Sequence, residues 1–129
     1  MMSKALVVDD SKTIRMIIRR ILLELGYEVC EACNGREGLE VLDAEHATVD
    51  LVLADWNMPE MNGLELVKQL RMNPAYTSLK VIMVTTETEM SQMASALAAG
   101  ANEYIMKPFT KNILKEKLEL LGIPSFAGE

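Results

Sequence analysis

Five short runs of residues alternate along the chain with longer segments whose apolar residues recur at helical spacing. The runs begin at Ala5, Glu28, Leu51, Val81 and Glu103, and the second run is more polar than the others. Parallel strands need a crossover connection, so this alternation predicts a parallel sheet. The runs that start at residues 5, 51 and 81 are continuously apolar, which is typical of strands covered on both faces. We therefore predict an α/β fold, a doubly wound five-stranded parallel sheet with helices on both faces.

The predicted helices occupy the segments between and after the strands. They span residues 11–25, 36–44, 64–72, 90–99 and 110–121, the last with Thr110 as its N-cap. Glycine follows three of them, at Gly26, Gly100 and Gly122, as is common at helix ends. Residues 1–122 are predicted to form one domain, and residues 123–129 a short C-terminal tail.

Composition narrows the class of protein. The 129 residues carry a formal net charge of −6, which argues against a nucleic-acid partner, because such binding depends largely on Lys and Arg at phosphates. No run approaches the roughly 20 apolar residues that cross a bilayer, and no basic segment followed by an apolar one marks a secretion signal. We expect a cytoplasmic protein with no membrane partner.

The two cysteines lie close together in the motif C-E-A-C, at Cys30 and Cys33. A redox pair usually opens a helix, where the helix dipole lowers a thiol pKa. Here the turn signal Asn34-Gly35 follows instead. Two small apolar residues at the end of a strand are the favoured interpretation, and a redox pair stays the alternative.

Polar residues follow directly after four of the five predicted strands. They are Asp9, Asp10, Asp55, Thr85, Thr86 and Lys107. The carboxyl ends of parallel strands meet at one edge of a sheet, and ligands in such folds bind just beyond that edge. We expect these carboxylates, hydroxyls and the ammonium to converge on one site.

Three carboxylates in one place repel one another, and a single lysine cannot neutralise them. A dication together with Lys107 would balance the charge, and an oxygen-only ligand set suits Mg²⁺, which also bridges to phosphate. Asp55 stands alone after the third strand, whereas Asp9 and Asp10 form a pair suited to a metal. We therefore predict that Asp55 attacks a phosphoryl group, with Mg²⁺, Lys107 and a hydroxyl stabilising the oxygens.

Four motifs give the chain a resemblance to a known family. They are V-V-D-D-S, D-W-N-M-P-E-M-N-G-L-E-L, M-V-T-T-E and K-P-F. From about Lys4 to Leu121 the chain resembles the receiver domain of two-component response regulators, especially the stand-alone chemotaxis regulators. The resemblance implies the flavodoxin-like strand order 2-1-3-4-5, which is the known order of this fold. It also implies a signalling switch that is not an enzyme beyond catalysing its own phosphorylation and dephosphorylation.

The resemblance assigns the acceptor and the metal ligands. Asp55 would accept the phosphoryl group from a histidine kinase. Asp10, Asp55 and the backbone carbonyl of Asn57 would bind Mg²⁺ directly, and Asp9 would act through water. The Lys107–Pro108 peptide bond would be cis.

The resemblance also assigns residues to switching and to the lifetime of the signal. Thr85 would hydrogen-bond the phosphoryl oxygen, and Lys107 would pair first with Asp55 and then with the phosphoryl group. Tyr104 would turn inward when Thr85 moves. Asn57 and Glu87 would tune dephosphorylation.

The output surface is expected on the side of the fourth helix and the fifth strand. It would include Met90, Met93, Tyr104 and Met106, since methionine adapts well to binding surfaces. The alternative for the methionines is gap filling in the core. The expected partner is a flagellar motor switch protein or another protein target, with a phosphatase as a further candidate.

The first predicted helix carries Arg15, Met16, Arg19 and Arg20 on what we expect to be its outer face. Such a charge set is usually a solvated surface. Met16 could instead meet the helix of a phosphotransfer partner.

Two other functions compete with a switch. A phosphorelay shuttle or phosphate sink would use the same fold and the same acceptor. A phosphatase of the aspartyl-phosphate type would place its nucleophile and a second acid two residues apart after the first strand. The adjacent Asp9-Asp10 pair and the lone Asp55 disfavour that enzyme.

Overall fold

A computed structural model describes residues 3–45, 48–86 and 91–123 of the chain. Its strands are β1 (Lys4–Val8), β2 (Glu28–Ala32), β3 (Val49–Asp55), β4 (Lys80–Thr85) and β5 (Glu103–Met106). They form one parallel sheet in the order β2-β1-β3-β4-β5, which confirms the predicted doubly wound α/β fold. Strand β3, which ends at Asp55, is therefore the central strand.

Each strand except β5 is followed by a helix that leads back to the start of the next strand, and a last helix follows β5. The helices are α1 (Lys12–Glu24), α2 (Gly35–Glu45), α3 (Gly63–Met72), α4 (Met93–Ala99) and α5 (Lys111–Leu120). The predicted N-cap is confirmed, because the side chain of Thr110 accepts a hydrogen bond from the backbone N–H of Ile113. A short 3₁₀ helix, Pro74–Tyr76, was not predicted.

The start of α4 differs from the prediction. The helix was expected from residue 90, but α4 begins at Met93, and residues 87–90 lie outside the described part of the chain. Its short apolar pattern gave only a weak signal for where the helix begins.

Helices cover both faces of the sheet, so the core has two halves. One half packs α2, α3 and α4 against the sheet and includes Leu6, Val52 and Met83. The other packs α1 and α5 against the opposite face and includes Leu53 and Ile105. The wholly apolar central strands are buried on both faces, as their composition predicted.

The edge of the sheet at the amino ends of β4 and β5 is tied together by Arg71 of α3. Its guanidinium donates hydrogen bonds to the carbonyl oxygens of Tyr76, Leu79 and Gly100, at 2.7, 2.8 and 3.0 Å. A fourth bond of 2.9 Å goes to the side-chain oxygen of Asn102. One side chain therefore joins α3, the 3₁₀ helix and the end of α4.

The cysteines form no disulfide and are both half-buried. The thiol of Cys30 lies 3.6 Å from the carbonyl oxygen of Ala5 on the neighbouring strand. The structure thus shows Cys30 packed within the sheet, in agreement with the favoured interpretation.

Within the described ranges, every helix is too short or too polar to cross a membrane.

Candidate functional site

The three predicted carboxylates meet at the carboxyl edge of the sheet. Val8 of β1 pairs with Ala54 of β3, so Asp9 and Asp55 follow at matching positions on neighbouring strands. Asp9, Asp10 and Asp55 each offer a carboxylate oxygen within 4.8 Å of the others. Asp9 and Asp55 are only 1% and 4% exposed, whereas Asp10 faces solvent. The cluster therefore has a buried floor and one open side.

Asp9 is fixed through its side chain and its backbone. Its Oδ1 accepts a 2.9 Å hydrogen bond from the backbone N–H of Ser11, at the start of α1. Its backbone carbonyl accepts a 2.6 Å hydrogen bond from the guanidinium of Arg15. The backbone N–H of Asp9 donates to the carbonyl of Ala32. These contacts leave Asp9 little freedom to turn away from Asp55.

The prediction that Arg15 belongs to a solvated outer face is wrong. Its side chain is only 16% exposed, because Nε pairs with Glu31 of β2 at 3.1 Å while the guanidinium also reaches Asp9. Arg19 pairs with the same carboxylate at 3.0 Å. No local sequence signal shows this arrangement, because Arg15 and Glu31 meet only when α1 packs beside β2. Met16 on the same helix is 59% exposed, as expected.

Lys107 lies between the two buried carboxylates. Its Nζ is 3.0 Å from Oδ1 of Asp55 and 3.6 Å from Oδ2 of Asp9. Burial lowers the pKa of Lys107, but the hydrogen bond and charge of Asp55, with the charge of Asp9, outweigh burial and raise the pKa above its usual value. The ammonium therefore stays charged at neutral pH. The Lys107–Pro108 peptide bond is cis, as the resemblance implied.

Thr85 ends β4 beside the cluster and is fully buried. Its hydroxyl donates a 3.2 Å hydrogen bond to the carbonyl oxygen of Thr86. Its own carbonyl accepts a 2.8 Å hydrogen bond from the backbone N–H of Lys107. The backbone hydrogen bond between Thr85 and Lys107 thus places the Thr85 hydroxyl and the Lys107 ammonium on neighbouring strand ends at the same edge of the sheet.

The loop after Asp55 folds back tightly onto the strand end. The backbone N–H of Gly63, the first residue of α3, donates to the carbonyl of Trp56 at 3.0 Å. A Cβ on Gly63 would lie 2.6 Å from the carbonyl oxygen of Asp55 and would also contact Cε of Met83. Only glycine allows this approach, which fixes the course of the loop that carries the exposed Asn57.

The donor set fits a hard divalent cation. All three clustered side chains offer carboxylate oxygens, the ligands that Mg²⁺ prefers. Oδ2 of Asp9 is buried and accepts no hydrogen bond from the described residues, although Lys107 is near it. A buried carboxylate oxygen of this kind, beside two further acids, favours additional positive charge at the open side of the cluster.

The structure separates the residues expected at an output surface. Met106 is 40% exposed and Tyr104 is half-buried at the edge strand β5. The expectation that Met93 belongs to this surface is wrong, because Met93 is 3% exposed and packs with Ala96 against the core. Met90 and Glu87 lie outside the described residues.

Tyr104 has contacts that the sequence did not reveal. The ammonium of Lys117 in α5 lies 4.4 Å from the centre of the Tyr104 ring. The same ammonium is 3.4 Å from Oε1 of Glu103. Tyr104 and Glu103 lie 13 and 14 residues before Lys117 in the sequence, so no local pattern predicts that they meet.

Comparison with known proteins gives one consistent result. The family model described as "Response regulator receiver domain" matches residues 5–119. The chemotaxis protein CheY1 of Helicobacter pylori is 52% identical over 119 residues, which are 92% of this chain and 95% of that protein. The chemotaxis protein CheY homolog of Campylobacter jejuni is 50% identical over 127 residues, which are 97% of each chain.

Solved structures agree with these relatives. The chemotaxis response regulator CheY4 of Vibrio cholerae superposes with a TM-score of 0.83 at 39% sequence identity. The match covers 94% of this chain and 99% of that chain.

Proposed function

The chain belongs to the response regulator receiver domain family, and from this premise we propose that it accepts a phosphoryl group on Asp55 and then switches its binding to a partner protein. The expected phosphodonor is a histidine kinase. Because its relatives carry chemotaxis names, the proposed pathway is chemotaxis, with a flagellar motor switch protein as the target and a phosphatase as a further partner. The cytoplasmic location, the receiver boundaries at 1–122 and the tail at 123–129 stay predictions.

One observation carries the proposal: a buried carboxylate, Asp55, ends the central strand beside an ammonium and two further acids. In the proposed step an oxygen of Asp55 attacks phosphorus, and the bond from phosphorus to the donor histidine nitrogen breaks. Its electron pair returns to the imidazole, so the product is an acyl phosphate on Asp55. The domain is therefore a switch that catalyses its own modification rather than an enzyme that turns over an external substrate.

The proposed cofactor is Mg²⁺. Asp10, Asp55 and the backbone carbonyl of Asn57 would bind it directly, with Asp9 acting through water. When bound, it supplies positive charge to the carboxylates and to the oxygens of the incoming phosphoryl group. Asp9 suits an indirect role, because hydrogen bonds to Ser11 and Arg15 already fix its position.

Lys107 and Thr85 would respond to the modification by binding the phosphoryl oxygens. Lys107 now pairs with Asp55 and would move its contact to the phosphoryl oxygens. The Thr85 hydroxyl now donates to the carbonyl of Thr86, so it must leave this acceptor to bind a phosphoryl oxygen. That exchange would release the backbone after β4 and couple the acceptor to Tyr104 on β5.

The output surface in this proposal retains Tyr104 and Met106. It also retains Met90, which lies outside the described residues. Met93 is excluded by its burial. Asn57 and Glu87 are proposed to tune dephosphorylation, since the resemblance places them two residues after Asp55 and after Thr85.

The acceptor is tested with a small phosphodonor. We expect incubation with acetyl phosphate and Mg²⁺ to add a single phosphoryl group, measured by intact mass. Asp55→Ala should abolish the gain. The matched control is Asp50→Ala, which removes an exposed acid from the same strand and should retain the gain. Equal phosphorylation of the Asp55→Ala protein would show that Asp55 is not the acceptor.

The switch is tested separately from the acceptor. Beryllofluoride with Mg²⁺ imitates the phosphoryl group, so we expect it to increase binding to the motor switch protein of the same organism. A protein that is phosphorylated on Asp55 but binds no target more tightly would instead be a relay shuttle or a sink.

A further inference from the structure

The side chain of Tyr104 lies on the α4 side of the sheet but is contacted by Lys117 of α5, a helix on the other side. Strand β5 is an edge strand, and successive side chains along a strand point to opposite faces. Ile105 packs in the core half that contains α1 and α5, whereas Tyr104 packs against the half that contains α4. Lys117 belongs to α5, so its side chain passes round the edge of the sheet to place its ammonium 4.4 Å from the Tyr104 ring centre.

Glu103 fixes the position of that ammonium. Its Oε1 lies 3.4 Å from Nζ of Lys117 and also accepts a 2.9 Å hydrogen bond from the backbone N–H of Tyr104. The side chains of Lys117 and Glu103 are only 23% and 20% exposed, so solvent screens the pair only in part. The Glu103 carboxylate is fixed to the strand by the Tyr104 N–H, and it holds the Lys117 ammonium. That ammonium in turn contacts the Tyr104 ring.

We infer that Lys117, positioned by Glu103, holds the Tyr104 ring in its half-buried orientation and thereby resists the inward turn of the ring in the absence of a phosphoryl group. This inference rests on the proposed function, in which modification of Asp55 is coupled to Tyr104, and on the expectation that Tyr104 then turns inward. A cation attracts an aromatic ring only when it lies over the ring face within about 6 Å of the centre. A change of χ1 moves the ring to another staggered well and breaks that contact.

The strength of the cation–π contact sets how far loss of Lys117 should shift the equilibrium between the Tyr104 ring orientations. Cation–π contacts at partly exposed sites change an equilibrium by about two- to five-fold. Loss of the ammonium should therefore raise the ratio of inward to outward Tyr104 about two- to five-fold in the unphosphorylated protein. Lys117 and Glu103 are positioning residues in this account, since neither contacts the acceptor.

The test follows the ring directly by fluorine NMR of fluorotyrosine-labelled protein, with the Tyr104 signal assigned from Tyr104→Phe. We expect Lys117→Met to move the unphosphorylated signal toward the position seen with beryllofluoride and Mg²⁺, or to add a second resonance there. Glu103→Gln keeps an acceptor for the Tyr104 N–H but removes the charge, so it should produce a smaller change in the same direction.

Two controls separate this role from a general loss of structure. Lys117→Arg retains a cation that can cover the ring and should restore the wild-type signal. Lys111→Met removes a charge from the same helix at a site that pairs with Glu24, and should leave the signal unchanged. An unphosphorylated Lys117→Met spectrum identical to wild type would overturn the inference. If the wild-type protein takes up no phosphoryl group, the proposed function fails, and this comparison of unphosphorylated proteins still decides whether Lys117 holds the ring.

Discussion

The guanidinium of Arg15 donates a 2.6 Å hydrogen bond to the backbone carbonyl of Asp9. Helix α1 therefore supports the main chain of the acid pair directly, in addition to the hydrogen bond that Ser11 makes with the Asp9 side chain. The position of the acids depends on a basic residue of the neighbouring helix as well as on the strands that end in them.

Replacing Arg15 with Met should loosen the Asp9-Asp10 segment. We expect a loss of about 1–3 kcal/mol in the free energy of unfolding, because a charged hydrogen bond to a buried carbonyl is removed. Urea denaturation measures the loss, and Mg²⁺ titration should show weaker binding. Arg20→Met, at an exposed position of the same helix, should change neither. Unchanged Mg²⁺ affinity in Arg15→Met would show that Arg15 does not position the acids.

Mg²⁺ should change the fluorescence of Trp56, the only tryptophan, because it follows the acceptor directly. Asp10→Ala should weaken the apparent Mg²⁺ affinity by about tenfold or more, since it removes a proposed ligand. Chelation with EDTA should restore the starting emission. If emission responds to Mg²⁺ equally in both proteins, Asp10 is not a ligand.

Gly63→Ala should disturb the acceptor loop from the side of α3. The new Cβ would clash with the carbonyl oxygen of Asp55, which cannot move aside easily because it belongs to the backbone. We therefore expect a loss of about 1–3 kcal/mol in the free energy of unfolding and weaker Mg²⁺ binding. Gly38→Ala is the matched control. It lies within α2, where alanine gains helix propensity, but its Cβ would lie 3.3 Å from Cγ2 of the buried Val8, so we expect a smaller change in stability than for Gly63→Ala.

Lys107→Ala should give a folded protein that still binds Mg²⁺ but responds poorly to phosphorylation. Without the ammonium, Asp9 and Asp55 face each other uncompensated, so Mg²⁺ should raise the melting temperature more than in wild type. Thermal unfolding with and without Mg²⁺ measures this difference, and Lys111→Ala serves as a control. Full target binding by phosphorylated Lys107→Ala would refute its role in switching.

Two buried tyrosines should make stability depend on pH above neutrality. Burial, with the charge of Asp50, raises the pKa of Tyr27 from 10.0 to about 12. Burial, with the hydrogen bond and charge of Asp43, raises the pKa of Tyr76 to about 12 as well. The folded protein binds these protons more tightly than the unfolded chain. Their contribution to stability is therefore complete below pH 10 and is lost as pH rises through 12.

The measurement combines urea denaturation with the near-ultraviolet absorbance of tyrosinate across that pH range. Tyr76→Phe should flatten the decline, although it also removes the 2.8 Å hydrogen bond to Asp43 and lowers stability at neutral pH. Stability that stays constant between pH 10 and 12 would contradict the prediction.

Short-range signals were enough to predict the sheet and the acid cluster. Strands β2 and β5 begin and end at the predicted residues, and Thr110 caps α5 as its side chain suggested. Asp9 and Asp55 meet because both directly follow paired positions on parallel strands, which the alternation of elements already implied.

Long-range contacts could not be predicted in this way. The partners of Arg15, Arg71 and Lys117 come from other elements and depend on how helices pack beside the sheet. Met93 was misplaced because α4 has few large apolar residues, so its sequence did not show which face turns inward.

The Arg71 network has a practical consequence. It clamps the rim of the molecule farthest from the acids, where Thr77 and Ser78 are exposed between the 3₁₀ helix and β4. That rim should stay still while the other end changes. A dye attached at Ser78 would therefore be a fixed label, and distances measured from it would report any displacement near Tyr104.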